Sequence, residues 1–184
     1  MNEKPKVKFA SWPADLLIDY VRKIHHRGIR KEGPELIALL DQVTSKWCTQ
    51  YPELVQLTTL FTDSVNALDI HCSKEEKVLF PYLYELYETN HNKRKKETLQ
   101  NGSVIFLINV MINEHAEESE WWDIIIKTTN NFTPPIDTDD DFRQMMASLK
   151  RFYDLYLLEH IHLENDILFP WALRAEQELK AAKT

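Results

Sequence analysis

From His71 to Pro81, and again from His160 to Pro170, the chain reads His-x3-Glu-x3-Leu-Phe-Pro. A helix turns by about 100° per residue, so residues four apart share a face with their Cβ atoms about 6 Å apart. Each copy therefore aims one imidazole and one carboxylate at a common point. An isolated His/Glu pair at this spacing is most often a surface ion pair. Two copies with matching Leu-Phe-Pro flanks restrict the chain to folds in which two helices present equivalent half-sites to one interior.

The rest of the sequence supplies those helices. Its 184 residues are 43% hydrophobic and include only three glycines, a composition suited to one domain of long helices rather than to sheets with many tight turns. Ser11-Trp12-Pro13 starts a first helix, whose apolar stripe runs through Leu17, Ile18, Val21, Ile24 and Ile29. Gly33-Pro34 can bend it before the pattern resumes from Leu36 to Val43. A second helix begins at Tyr51-Pro52-Glu53 and continues through Leu68, His71, Glu75 and Leu83 toward Asn90. A third spans Lys96 to Thr129, with Ile108, Met111, His115, Trp122 and Ile125 inward, and ends at Asn130-Asn131-Phe132-Thr133-Pro134-Pro135. The acidic run from Asp137 to Asp141 starts a fourth, which carries His160 and Glu164 toward Leu179. Pro81 and Pro170 fall inside helical patterns, and matching kinks are expected there. The expectation is an all-α, up-down-up-down four-helix bundle over residues 12–184, preceded by an N-terminal extension, residues 1–11. Its even-numbered helices run parallel and carry the two half-sites to one depth.

Charge narrows the functional classes. The formal charge is −7, and the one concentrated basic run, Lys93-Arg94-Lys95-Lys96, sits at a helix junction; a nucleic-acid partner is not expected. No apolar run approaches the ~18 residues of a membrane span, and the first residues lack a signal peptide's apolar segment, so a cytoplasmic protein without membrane contact is expected. Cys48 and Cys72 form no CxxC pair, and reduced thiols are expected. No Ser-His-Asp order or glycine-rich phosphate loop appears.

Two glutamates with several histidines and no thiolate form a mixed oxygen and nitrogen donor set that suits iron or manganese better than structural zinc. Two carboxylates buried among Leu, Phe and Ile would cost several kcal/mol each if unpaired, and no Lys or Arg is placed to neutralise both. A pair of bridged cations would. His115 stands on the inward stripe of the third helix and adds a donor. In the first helix, periodicity favours His25 over His26, which lies nearer the edge of the stripe. His162 is about 200° around the helix from His160 and belongs at the surface, and His91 lies in a polar loop. Glu114, beside His115, reads as a hydrogen-bond partner to a ligand or as a proton relay.

A first-helix His, His-x3-Glu with Leu-Phe-Pro, Glu114-His115, and His160-Ile-His-Leu-Glu164-Asn165 with a second Leu-Phe-Pro together resemble the hemerythrin-like domain of the di-iron proteins that repair iron-sulfur clusters. The likeness covers about residues 12 to 175, and Thr128-Thr129-Asn130-Asn131-Phe132-Thr133-Pro134-Pro135 is similar to that branch rather than to oxygen-carrying hemerythrins. It implies the ligands His26, His71, Glu75, His115, His160 and Glu164 around two iron ions bridged by an oxo or hydroxo group. Here a Tyr-His or His-His pair ligates through its second member, which selects His26. The implied pairing is His26 with His71 on one iron and His115 with His160 on the other, with both glutamates bridging. Family members generally carry a short N-terminal module with adjacent cysteines, which this sequence does not show.

The function so implied is a di-iron role in the response to nitrosative and oxidative stress. It includes iron donation to damaged iron-sulfur clusters, with iron-sulfur proteins as clients, or binding of nitric oxide, with a nitric oxide reductase-like activity as its enzymatic form. A four-histidine set leaves open coordination positions for small ligands. The alternative is a sensor or store that binds dioxygen or nitric oxide reversibly without turnover.

Overall fold

The computed structural model describes residues 7–92 and 103–182. A short 3-10 turn, Phe9–Ser11, leads into α1 (Ala14–Tyr20), a π-helical segment (Val21–His26) and α2 (Arg27–Trp47), which form one continuous run. The second run joins α3 (Glu53–Lys74), a π segment (Glu75–Leu79) and α4 (Phe80–Asn92); the third is α5 (Val104–Thr128). The fourth joins α6 (Asp140–Phe152), a π segment (Tyr153–Leu158), α7 (Glu159–His162), a further π segment (Leu163–Leu168) and α8 (Phe169–Ala181). No strand occurs among the described residues.

Side-chain pairs fix the direction of each run. Thr44 meets Thr58 while Asp19 meets Tyr84; Ser64 meets Glu118 while His71 meets Glu114. Val104 meets Glu176 while His115 meets Asn165, and Glu32 meets Tyr156 while Tyr20 meets Glu159. Each run is antiparallel to the next, and the fourth to the first, so the architecture is the expected up-down-up-down bundle.

Local chemistry sets the helix ends. Ser103 accepts a hydrogen bond from the Ile105 N–H and Asp139 from that of Phe142, each satisfying a donor that the first helical turn leaves over. The third run ends in three successive left-handed residues, Asn130, Asn131 and Phe132, with φ of 46°, 55° and 57°. Asparagine tolerates that region; phenylalanine does so at a cost of about 1–2 kcal/mol. The Phe132 ring is buried beside Tyr153, and its N–H is held by Thr129 Oγ1, which offsets the strain.

Several expectations need correction. No break falls at Pro34, which lies inside continuous α2; the irregularity is the π segment Val21–His26, one helical stretch earlier. Pro81 and Pro170 each follow a π segment that ends two residues before them. The wider π turn loosens the helical ladder where a proline ring would crowd the preceding turn. Ile24, expected on the inward stripe, is 43% exposed, because the π turn shifts the phase of the helix. His91 lies in α4, exposed, rather than in a loop. The basic run from Lys93 to Lys96, and the expected start of the third helix, lie outside the described residues. Both cysteines are free thiols.

Two apolar clusters fill the interior. One is built around Ile29, Leu68, Trp122 and Leu157, the other around Val21, Leu79, Met111 and Leu163. On every run the gap between them holds a histidine. No helix among the described residues is long and apolar enough to cross a membrane.

Candidate metal centre

Between the two clusters, His71, Glu75, His115, His160 and Glu164 bring one ligand atom each to within 4.8 Å of one another. All five are buried, and both glutamates are completely inaccessible. His26 joins the rim, with Nε2 3.2 Å from Glu75 Oε2. The other imidazoles point the same way: His71 Nε2 lies 3.4 Å from Glu75 Oε1, His115 Nε2 3.3 Å from Glu164 Oε2, and His160 Nε2 3.4 Å from Glu164 Oε2. His71 and His115 present their Nε2 atoms 3.0 Å apart, and His160 Nε2 also stands 3.6 Å from Glu75 Oε2.

The π segment of the first run explains why two consecutive histidines turn inward. A π turn holds about one residue more than an α turn, so consecutive residues His25 and His26 both reach the interior at 0% exposure. They face different groups. His26 turns to Glu75, whereas His25 Nε2 lies 3.4 Å from Glu159 Oε1. Of the two, His26 is the one beside the carboxylates. Burial, with His160 and His26 close by, pushes the His25 pKa down to about 3, so it is neutral.

Each of three imidazoles is held from behind. The Nδ1–H of His26 donates to Glu76 Oε1 at 2.9 Å, that of His71 to Glu114 Oε2 at 2.9 Å, and that of His115 to Asn165 Oδ1 at 3.0 Å. Such bonds fix the tautomer that leaves Nε2 available to a metal and hold the ring in position. Arg30 in turn anchors Glu76 at 2.7 Å, and Lys74 anchors Glu114. Glu76 and Asn165 occupy the same place in the two copies of the duplicated phrase, each directly after the buried glutamate. The repeat therefore contained this signal, although only Asn165 stood out in sequence. Glu114 supports His71, from the second run, rather than its neighbour His115. His162 is exposed and bonded to Asp166.

The electrostatics match a cation site. All four oxygens of Glu75 and Glu164, together with Nε2 of His26 and of His160, are buried without a hydrogen-bond partner. Buried carboxylates in that condition cost several kcal/mol each. Without a cation, only the imidazoles compensate. Burial opposes charge on Glu75, yet His71, His160 and His26 hold its carboxyl well below the usual range. Burial likewise opposes charge on His71, but Glu75 raises its pKa to about 9; in His160 burial is overcome by Glu164, to about 10. Metal ions would take the place of those protons, and the residues present fit such ions.

A cavity of about 210 Å³ between α3 and α5 reaches this cluster and is lined by His71 and His115 together with Ile70, Lys74, Glu114 and Trp121.

Residues 18–172 match the model of the hemerythrin HHE cation binding domain. Among curated proteins, the chain is 31% identical over 168 residues to an iron-sulfur cluster repair protein YtfE of Musicola paradisiaca, covering 89% of this chain and 68% of that one. It is 33% identical over 177 residues to YtfE proteins of Escherichia coli and of Escherichia fergusonii, covering 96% of this chain and 74% of each relative. The centre built from two antiparallel pairs of helices and the match along most of the chain lead to one conclusion: this protein belongs to the hemerythrin HHE cation binding family, in its branch of YtfE iron-sulfur cluster repair proteins.

Proposed function

We propose that this chain is a non-haem di-iron protein of the nitrosative and oxidative stress response, which supplies iron to damaged iron-sulfur clusters inside the cell. The observation that carries this reading is the convergence of four imidazole Nε2 atoms on two fully buried carboxylates that have no other partner. His26, His71, His115 and His160 would hold the ions through their imidazoles, with Glu75 and Glu164 supplying the carboxylates between them. The spacing favours a crosswise pairing over the one implied by the resemblance. His71 and His115, whose Nε2 atoms lie 3.0 Å apart, would hold one ion. His26 and His160, both facing Glu75 Oε2, would hold the other. Nitrogen and oxygen donors without thiolate suit iron, and two divalent ions offset both carboxylates. When bound, iron supplies redox chemistry and open coordination positions for nitric oxide or dioxygen.

The test is to load the protein with iron, measure two ions per chain, and assay recovery of a damaged iron-sulfur enzyme such as aconitase alongside nitric oxide consumption. Recovery that requires Glu75 and Glu164 supports the reading; iron-loaded protein inactive in both assays overturns it. The cavity that reaches His71 and His115 favours a second reading, reversible binding of nitric oxide or dioxygen without turnover. A stable spectrum that reverses on removal of the gas, without aconitase recovery, would select it.

A further inference from the structure

A third buried carboxyl group, outside the ligand cluster, lines the same cavity. Glu118 stands one helical turn beyond His115 on α5 and is 7% exposed. Its hydrogen-bond partners are neutral. Ser64, buried on the facing helix α3, donates its hydroxyl to Glu118 Oε1. The Trp122 indole N–H donates to the same Oε1 at 3.1 Å and to Ser64 Oγ at 3.0 Å. Both donors converge on one oxygen, which leaves Oε2 as the place for an acid proton. Burial raises this carboxyl above its ordinary range, against the opposing pull of Ser64, Trp122 and the nearby His71. A buried carboxyl group whose hydrogen-bond partners are all neutral disfavours its charged form, and in its protonated form it offers a hydrogen-bond donor.

We propose that Glu118 donates a hydrogen bond, through Oε2–H, to a small electron-rich ligand of two or three atoms bound in the cavity at the metal position behind His71 and His115. A cavity of about 210 Å³ admits such a molecule, since one water occupies only about 30 Å³ of liquid. Ser64 and Trp122 are the positioning residues: they hold Oε1 and so direct the opposite oxygen. This inference rests on the di-iron reading above, and it assigns the ligand-facing polar group that this reading leaves unnamed.

Azide, a three-atom anion whose complexes with ferric iron absorb strongly, is the probe. The full chain is loaded with iron and titrated with azide as wild type, Glu118→Gln and Glu118→Leu, with iron content and thermal midpoint measured for each. Loss of one hydrogen bond to a charged acceptor weakens binding by roughly tenfold, the effect expected for Glu118→Leu. Glu118→Gln retains an N–H donor and stays within about threefold of wild type. The azide antisymmetric stretch shifts between H2O and D2O in wild type and in Glu118→Gln, and does not in Glu118→Leu. A Glu118→Leu protein with full iron, a lowered thermal midpoint and unchanged azide affinity and stretch assigns Glu118 a purely structural role and overturns the proposal. Iron-loaded wild type that forms no azide band also overturns it, while leaving the di-iron centre intact. Wild type that binds no iron overturns the di-iron reading itself, and this one with it.

Discussion

His26 and Glu76 are joined across two helices: the imidazole Nδ1–H donates to Oε1 at 2.9 Å, and Arg30 holds the same oxygen at 2.7 Å. Glu76 directly follows the buried Glu75, so one helical segment both faces the centre and braces a histidine from the neighbouring run. Asn165 after Glu164 repeats this toward His115. The bundle thus carries an approximate internal twofold relation. The first run relates to the third and the second to the fourth, with a charged brace on one side and a neutral amide on the other.

Removing the braces should weaken metal binding without abolishing it. Glu76→Ala and Asn165→Ala are each expected to lower iron affinity by about 10- to 100-fold, read by competition with a calibrated chelator. His26→Ala should lose at least one ion per chain, whereas His25→Phe, a change in a residue that faces Glu159, should retain both. Equal metal loss in the two histidine variants would show that His26 has no special place.

Metal should also be a large part of the folded state's stability. A ligand that binds only the native form stabilises it by about 2.7 kcal/mol at a hundredfold excess over its dissociation constant. Iron or manganese is therefore expected to raise the thermal midpoint of the wild type and a chelator to lower it. Glu75→Ala and Glu164→Ala proteins should show neither shift.

Glu176 makes acid stability testable away from the metal. Burial works against its charge, but Lys180, Tyr82, the Val104 N–H and Ser103 together depress its pKa to about 2, from an ordinary 4.5. Because the folded-state value is the lower one, the stability it contributes is complete above about pH 4.5 and is lost as pH falls toward 2. Glu176→Gln should therefore lower the unfolding free energy from urea titration at pH 7 by about 1–3 kcal/mol, and the gap from wild type should close between pH 4.5 and 2. A gap that persists at pH 2 would assign the loss to packing instead.

Gly28 is a point of close approach. A Cβ built there would overlap the Tyr156 ring, and the Tyr156 hydroxyl is fixed by Glu32 at 2.6 Å. Gly28→Ala should destabilise by about 1–3 kcal/mol. In a Tyr156→Ala background most of that loss should vanish, because contacting residues are not additive; denaturant midpoints of the four proteins give the answer.

The two thiols should differ in reactivity. Cys72 is fully buried, and burial, reinforced by Glu75, raises its pKa well above the ordinary value; Cys48 is partly accessible. A chromogenic disulfide reagent should titrate one thiol in the native protein and the second only on unfolding. Two rapid equivalents would contradict the burial of Cys72.

The duplicated phrase alone determined that His71 and Glu75, and His160 and Glu164, each share a helix face, because spacing along a helix is local geometry. Apolar periodicity and sparse glycine likewise fixed the helical class and the order of the runs. What lay beyond the sequence was everything set by contacts between runs. Periodicity of 3.6 residues placed Ile24 and His25 inward; His25 is buried, but so is His26, and Ile24 is 43% exposed, because the first run widens into a π turn. Before the bundle closes, Glu76 is an ordinary acidic residue, Glu114 is marked only by its neighbour His115, and Glu118 carries no signal. Only then does each meet a partner 40 or more positions away, His26, His71 and Ser64, and a carboxylate's role is decided by what faces it across the interior.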